Sequence, residues 1–377
     1  MNDVRTSSYV YGLDLVRFLC TLMVCVFHLS WHNAAMVTSM PFGWIGVQVF
    51  FVISGVVIAN SAAQAKPLHF LKSRFLRLYP AAWLAALVNF GLLLALPLGV
   101  FGAAGVWVDP TPRALWFSLV LAGTTFLTSA YWTLPIELAF YGLILLAVIG
   151  GGVRRFALVA RLLVLASAPY CVLLFCSRIV GFELGWFEFG YGPKNMFLLR
   201  HGVYFAIGMY FWLLNSQGRL AGADRALLAL AFTGAGLEMF ARASQIVGSY
   251  APGPQGPLGL GFLVSGAMAI FAVLAGVIFL SLRHARAWVP PAGVARWVRI
   301  LGLVTYPYYL IHEILGAAVL HAAGVQGLGP GASLLAAMVL IGLVAFLIAR
   351  YGEPALRRAI DRALARKRPD AAGAKQA

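Results

Sequence analysis

The chain has 377 residues, of which 62 % are hydrophobic and only 11 % charged, whereas a soluble domain carries roughly a quarter charged residues. The formal charge of +16 would suit a nucleic-acid binder, but the cations gather in short stretches between apolar runs and no nucleic-acid-binding motif accompanies them. A soluble enzyme and a nucleic-acid partner are thereby excluded, and the mean hydropathy of +0.87 leaves an all-α polytopic membrane protein with a single membrane domain.

In chain order, the first apolar run, 13–31, is too long for a signal-peptide core and is expected to stay as a span. Further runs follow at 43–62, 79–100, 113–129, 131–149, 156–180, 197–214, 225–242, 258–282, 300–322 and 331–351. A span takes about 20 apolar residues. If 113–129 crosses, Arg154 and Arg155 face outward, and so do Arg283, Arg286, Arg296 and Arg299. If it is re-entrant or interfacial, ten spans remain, both termini are cytoplasmic, and 22 of the 28 basic residues lie inside. That segment is short, follows a Pro-rich stretch at 109–112 and carries Gly123. Non-helical backbone is tolerated at membrane depth where protein covers it. Ten spans are therefore expected, in a membrane domain over 1–358, with a basic, disordered cytoplasmic tail over 359–377. The Pro/Gly-rich loop at 243–257 is expected to be irregular. Cys20, Cys25, Cys171 and Cys176 sit in apolar runs without zinc-ligand spacing, so neither disulfide nor metal is expected.

Charges inside a span are expensive and mark function. The first span holds three ionisable residues, Asp14, Arg17 and His28. Asp14 and Arg17 are three apart and can pair. Arg17 and His28 are eleven apart, which is three helical turns plus about 20°, so they share a face about 16 Å apart along the axis. Glu137, at the outer end of 131–149, comes to a similar depth as His28 and is expected to orient its imidazole. His312 and Glu313 form a polar pair within 300–322, and Trp132 lies beside Glu137 in sequence. Arg74 and Arg77, at the cytoplasmic start of the third span, are either topology anchors or a grip for the phosphates of a cytosolic ligand.

These residues fall in motifs that resemble the acyltransferase 3 family of membrane O-acyltransferases. Arg17 and His28 match its Arg-x10-His motif, and FFVISG (50–55) matches its FFxxSG segment. RFLRLYP (74–80) is similar to its RxxRxxP turn and WTLPIELAFY (132–141) to its W-x-L-x-x-E-x-x-F-Y signature. TYPYYLIH (305–312) and Glu353-Pro354 with Arg357 and Arg358 resemble its closing segments. The family's usual second acid after Glu137 is Leu138 here. The resemblance implies a stand-alone enzyme of the bacterial inner membrane that moves an acyl group, usually acetyl, from cytosolic acyl-CoA to a glycan hydroxyl such as one on O-antigen or exopolysaccharide. It implies no bound cofactor, with acyl-CoA as co-substrate. His28 and Glu137 are the expected catalytic pair and Arg17, Arg74 and Arg77 the donor-binding cations, with Asp14, Trp132 and His312 near the substrate. His28 would act as general base or through an acyl-imidazole intermediate. The competing reading is a transporter or flippase for a lipid-linked glycan.

Overall fold

A computed structural model describes residues 9–30, 36, 40–188, 193–249 and 259–366. The described residues form helices α1 (Tyr11–Ser30), α2 (Ile45–Ala62), α3 (Pro67–Ala95), α4 (Gly99–Ala103), α5 (Pro112–Val120), α6 (Thr133–Gly150) and α7 (Phe156–Val180). They continue with α8 (Gly202–Gln217), α9 (Gly222–Ser249), α10 (Leu260–Arg283), α11 (Ala292–Val325), α12 (Pro330–Leu347) and α13 (Glu353–Arg366). Among them, ten helical stretches are long and apolar enough to cross a membrane, namely α1, α2, α3, and α6 through α12 with its continuation into α13. The protein is an all-α, multi-pass membrane protein.

The segment 113–129 does not supply an eleventh span. Its helix, α5, has nine residues and rises only about 14 Å. Leu121 ends it in the left-handed conformation at φ 57°. A branched side chain pays roughly 1–2 kcal/mol there, and complete burial of Leu121 holds it in place. The last carbonyls of α5 are met by side chains of α3: Trp83 Nε1 donates to Leu119 O at 2.8 Å and Tyr79 Oη to Val120 O at 3.2 Å. The chain then turns back toward the bundle and enters α6.

Several helices extend beyond the apolar runs that announce them. Helix α3 starts at Pro67, not 79, with proline in its first turn, where a missing N–H costs nothing. It carries Lys72, Arg74 and Arg77 on its early turns. Hydropathy marks where a helix is apolar, whereas the hydrogen-bonded helix continues through its polar end. For the same reason α11 starts at Ala292 and α9 reaches Ser249; the rest of the Pro/Gly-rich loop lies outside the described residues. Helix α13 runs past 358 to Arg366, with Lys72 Nζ of α3 2.7 Å from Asp361. The remaining tail, 367–377, lies outside the described residues.

Helix α11 is the hub, packed against α1, α3 and α12. Its approach to α1 rests on two glycines. A side chain at Gly302 would collide with the Asp14 carboxylate, and one at Gly316 with Leu29. Asp14 and Leu29 are fifteen residues apart and the two glycines fourteen, so α1 and α11 run alongside each other in the same direction for about 20 Å. Gly55 and Gly208 bring the α2 and α8 backbones into similar contact. Small residues at such crossings are how membrane helices gain close packing.

Candidate active site

Two cavities have α1 residues in their walls. The larger, about 520 Å³, is lined by Asp14, Arg17, Arg74, Arg77, Glu137 and Arg299, among others. Four arginines from three helices thus face one space. Arg17 Nη1 lies 3.5 Å from Asp14 Oδ1, the (i, i+3) pair expected from spacing. Tyr9 donates a short hydrogen bond to the same carboxylate. Partial burial and that bond hold the Tyr9 phenol above its usual range, so it remains a neutral donor. Arg299 stacks over the rings of Tyr9 and Tyr11, 4.9 and 5.4 Å from their centroids, and donates to Tyr11 Oη at 2.7 Å. Arg74 lies 6.0 Å from the Tyr141 ring centroid. Asp14 has a packing reason for its place as well, since it fills the gap opposite Gly302.

Glu137 belongs to this larger cavity. Its carboxylate accepts from Tyr141 Oη, one turn along α6, and from Ser54 Oγ of the FFVISG segment at 3.4 Å. The hydrogen bonds of His28 go elsewhere. His28 Nδ1 lies 2.9 Å from Glu313 Oε1 and 2.8 Å from His312 Nε2, with the two imidazoles stacked at 5.0 Å. The pairing expected of His28 with Glu137 is therefore replaced by one with Glu313. Depth along a span says how far into the membrane a side chain lies, but the rotation of its helix decides what it meets.

The tautomers follow from these partners. His312 Nδ1 is 2.6 Å from the carbonyl oxygen of Tyr309, which can only accept, so Nδ1 carries the hydrogen and Nε2 offers a lone pair. His28 Nδ1 faces that lone pair and a carboxylate, two acceptors, so it too carries a hydrogen. In neutral His28 the lone pair is then on Nε2. A carboxylate behind Nδ1 with the lone pair on Nε2 is the arrangement that makes histidine a directed base.

Glu313 is only 5 % exposed, and a buried carboxylate needs donors. They come from the chain that follows α5. Thr128 Oγ1 donates a short bond, Ser129 Oγ donates at 2.5 Å and the Ala130 amide at 3.1 Å. The returning loop is held by an isolated bridge between Val108 and Thr128 and by Leu127 N donating to Ser118 Oγ at 3.0 Å. Thr128 and Ser129, at the end of 113–129, thus have a defined task, which is to fix the Glu313 carboxylate.

His28, His312 and Glu313 also place possible ligand atoms within 4.8 Å of one another. Two nitrogens on a tetrahedral zinc at 2.0–2.1 Å would stand roughly 3.3 Å apart. The 2.8 Å between the imidazoles is hydrogen-bond spacing, and Glu313 is already engaged by three donors. The residues as arranged fit a hydrogen-bonded relay better than a metal centre.

The second cavity, about 50 Å³, is lined by His28 with Trp44, Gln48, Trp132, Arg200, His201 and Arg242, among others. Trp132 is tilted against His201 with centroids 5.4 Å apart. Of the residues singled out in the sequence, the structure brings Asp14, Arg17, Arg74, Arg77 and Glu137 into one cavity, His28 and His312 into contact, and Trp132 to the smaller cavity. Sequence reasoning passed over Glu313 as a partner for His28, although an acid directly after an intramembrane histidine was the available signal. Gln48, Arg200 and His201 were also passed over, and nothing in their spacing joins α2 and α8.

A helical membrane bundle with a carboxylate-backed histidine beside an arginine-lined cavity has the equipment for acyl transfer. The family model for the acyltransferase domain matches residues 10–350, and the chain belongs to that family, acyltransferase 3; it is a membrane acyltransferase. It is 26 % identical over 329 residues to BcsY of Komagataeibacter xylinus, named as a membrane-bound transacylase, with 82 % of this chain and 74 % of the relative covered. It is 29 % identical over 342 residues to the exopolysaccharide production protein ExoZ of Rhizobium meliloti (strain 1021), covering 84 % of this chain and 90 % of the relative. No solved structure matches the chain.

Proposed function

We propose that this protein takes an acyl group, usually acetyl, from cytosolic acyl-CoA and esterifies a hydroxyl of a surface glycan, working in the bacterial inner membrane with both termini cytoplasmic. The observation that carries this reading is the 2.9 Å contact of His28 Nδ1 with Glu313, which leaves Nε2 as the base. The arginine-lined cavity supports the donor assignment. Acyl-CoA is long and polyanionic, and Arg17, Arg74, Arg77 and Arg299 supply cations where its phosphates would rest. The printed name of ExoZ supports an exopolysaccharide or related glycan as acceptor.

In the step proposed, His28 Nε2 takes the proton from the acceptor hydroxyl as its oxygen attacks the thioester carbon. The carbon–sulfur bond then breaks. The departing CoA thiolate takes the proton from Nε2, so the products are an O-acyl ester and free CoA, and His28 is neutral again. Glu313 stabilises the imidazolium between the two transfers. Glu137, in the donor cavity, is assigned to donor binding and not to orienting His28.

The test compares O-acyl esters on the surface polysaccharide of the parent bacterium with and without the gene, by NMR. Loss of esters on deletion, restored by the wild-type gene and not by a His28→Ala gene, is expected. Unchanged acylation in the deletion strain would overturn the proposal.

A further inference from the structure

The small cavity beside His28 has walls that are locked and yet incomplete. The lock is Glu238, buried in α9, which accepts from Arg200 Nε at 2.7 Å, Tyr204 Oη at 2.8 Å and Gln48 Nε2 at 3.5 Å. Because a carboxylate only accepts, the Gln48 amide must turn its NH2 to Glu238 and its oxygen away. That oxygen has no hydrogen-bond partner among the described residues, and neither do Trp44 Nε1 nor His201 Nδ1. The three residues are 4 %, 4 % and 2 % exposed, they come from α2 and the start of α8, and all line the same space as His28. Buried polar atoms without partners are rare in folded proteins and need a cause.

The three atoms present one obligate donor, one obligate acceptor and one ring nitrogen that can be either. A carboxylate could satisfy Trp44 but not Gln48, and an ammonium could satisfy Gln48 but not Trp44. Hydroxyls donate and accept at once, so a run of neighbouring hydroxyls answers all three. Trp132, half-buried on the same cavity, offers an indole face beside them. The space of about 50 Å³ has room for several hydroxyl groups.

We propose that this cavity is the acceptor subsite and that it holds the hydroxyl-bearing edge of a sugar, with Trp44, Gln48 and His201 aligning one hydroxyl toward His28. This rests on the acyltransferase reading above and adds where the acceptor sits and what recognises it. Donor and acceptor then reach His28 from different cavities, which share Val47 as a common wall.

The experiment uses the full chain in nanodiscs with acetyl-CoA, and the methyl glycosides of glucose, galactose and mannose as acceptor probes. CoA thiol release and melting temperature are read. At least one glycoside should accelerate CoA release. Trp44→Phe, which removes only the indole N–H donor and keeps an aromatic ring, should raise the half-saturating glycoside concentration about fivefold, the worth of one net hydrogen bond. Half-saturating acetyl-CoA should stay within about twofold of wild type, since that is a difference near measurement error for one contact. Without glycoside, Trp44→Phe should melt no lower than wild type, because a partnerless buried donor has been removed. Gln48→Met serves as the second variant, with the same shift expected in glycoside and not in acetyl-CoA. No acceleration by any glycoside, or unchanged glycoside dependence in both variants, would overturn the subsite. So would a fall in melting temperature with both substrates weakened alike. His28→Ala separates the two readings. If it still transfers acetyl groups, the mechanism itself is wrong; if it is inactive while Trp44→Phe and Gln48→Met are indifferent, only the subsite is wrong.

Discussion

At the scale of the residue, the chemistry turns on which carboxylate serves His28. Glu313 contacts Nδ1 at 2.9 Å, whereas Glu137 bonds Tyr141 and Ser54 in the arginine-lined cavity. Two substitutions separate these roles. Glu313→Gln should lower turnover by about a hundredfold or more, because an amide can hold the ring but not stabilise an imidazolium. Glu137→Gln should act mainly on half-saturating acyl-CoA. Steady-state kinetics on both variants, normalised to protein in the membrane, decide the matter, and the opposite ranking would return the orienting role to Glu137. His28→Ala should cost about 10²–10⁴ in turnover. The sign of the pH dependence follows from the role. A base must begin unprotonated, so the rate should climb as pH rises and then level off. A rate that falls as pH rises would mean that the protonated imidazole is the active form.

At the scale of the element, the stretch from α5 into α6 is the least helical part of the bundle and the part that completes the site. It ends a nine-residue helix at Leu121, returns along Val108, and delivers Thr128, Ser129 and the Ala130 amide to Glu313. The paired change Thr128→Ala and Ser129→Ala removes two of the three donors that this stretch supplies to a buried carboxylate. Each such loss costs about 1–3 kcal/mol, so turnover should drop at least about tenfold and the protein should melt lower. Thermal unfolding in detergent alongside CoA-release rates would check both. Full activity in the double variant would mean that the loop only connects α5 to α6. The resemblance between short apolar segments and true spans explains why this stretch was ambiguous in sequence. Its 17 apolar-rich residues have the composition of a span, and what disqualified it was the charge of loops far along the chain. Glu313 was hidden for a related reason. Its partners are some 185 residues away, and no periodicity within α11 reports on them.

At the scale of the molecule, the proposed orientation puts both termini on the cytoplasmic side, on the strength of the cation distribution. Single cysteines at Arg155 and Arg296, in a background freed of native cysteines, should react with an impermeant reagent only from the cytoplasmic side. Labelling of either from outside would reverse the orientation and with it the direction of donor entry. The same view makes the four arginines one device. Arg17 rides on α1, Arg74 and Arg77 on α3, and Arg299 on α11, yet they line one cavity. Arg17→Ala should raise half-saturating acyl-CoA about tenfold or more, the worth of a hydrogen bond between charged groups. Arg17→Lys should recover only part of it, because an ammonium lacks the planar fork. Arg299→Ala should shift the same parameter, although no motif names that residue.

The sequence by itself determined the membrane character, the ten spans and the family, and it put Arg17 and His28 on one span. Each of these is written locally, as apolar length, charge in short loops, or spacing on a single helix. Hydropathy has a physical scale, the thickness of the bilayer, and helical spacing has another, 3.6 residues per turn, so both can be read without knowing what lies next door. Only the tertiary structure decided that Glu313 and not Glu137 meets His28, that Arg299 joins the arginine-lined cavity, and that Gln48, His201 and Trp44 line one small space together. Those facts depend on the rotation and crossing of helices, set by Gly302 and Gly316 against α1 and by Gly55 against Gly208. Contact between helices far apart in the chain is a property of packed surfaces, and it leaves no period in any one of them.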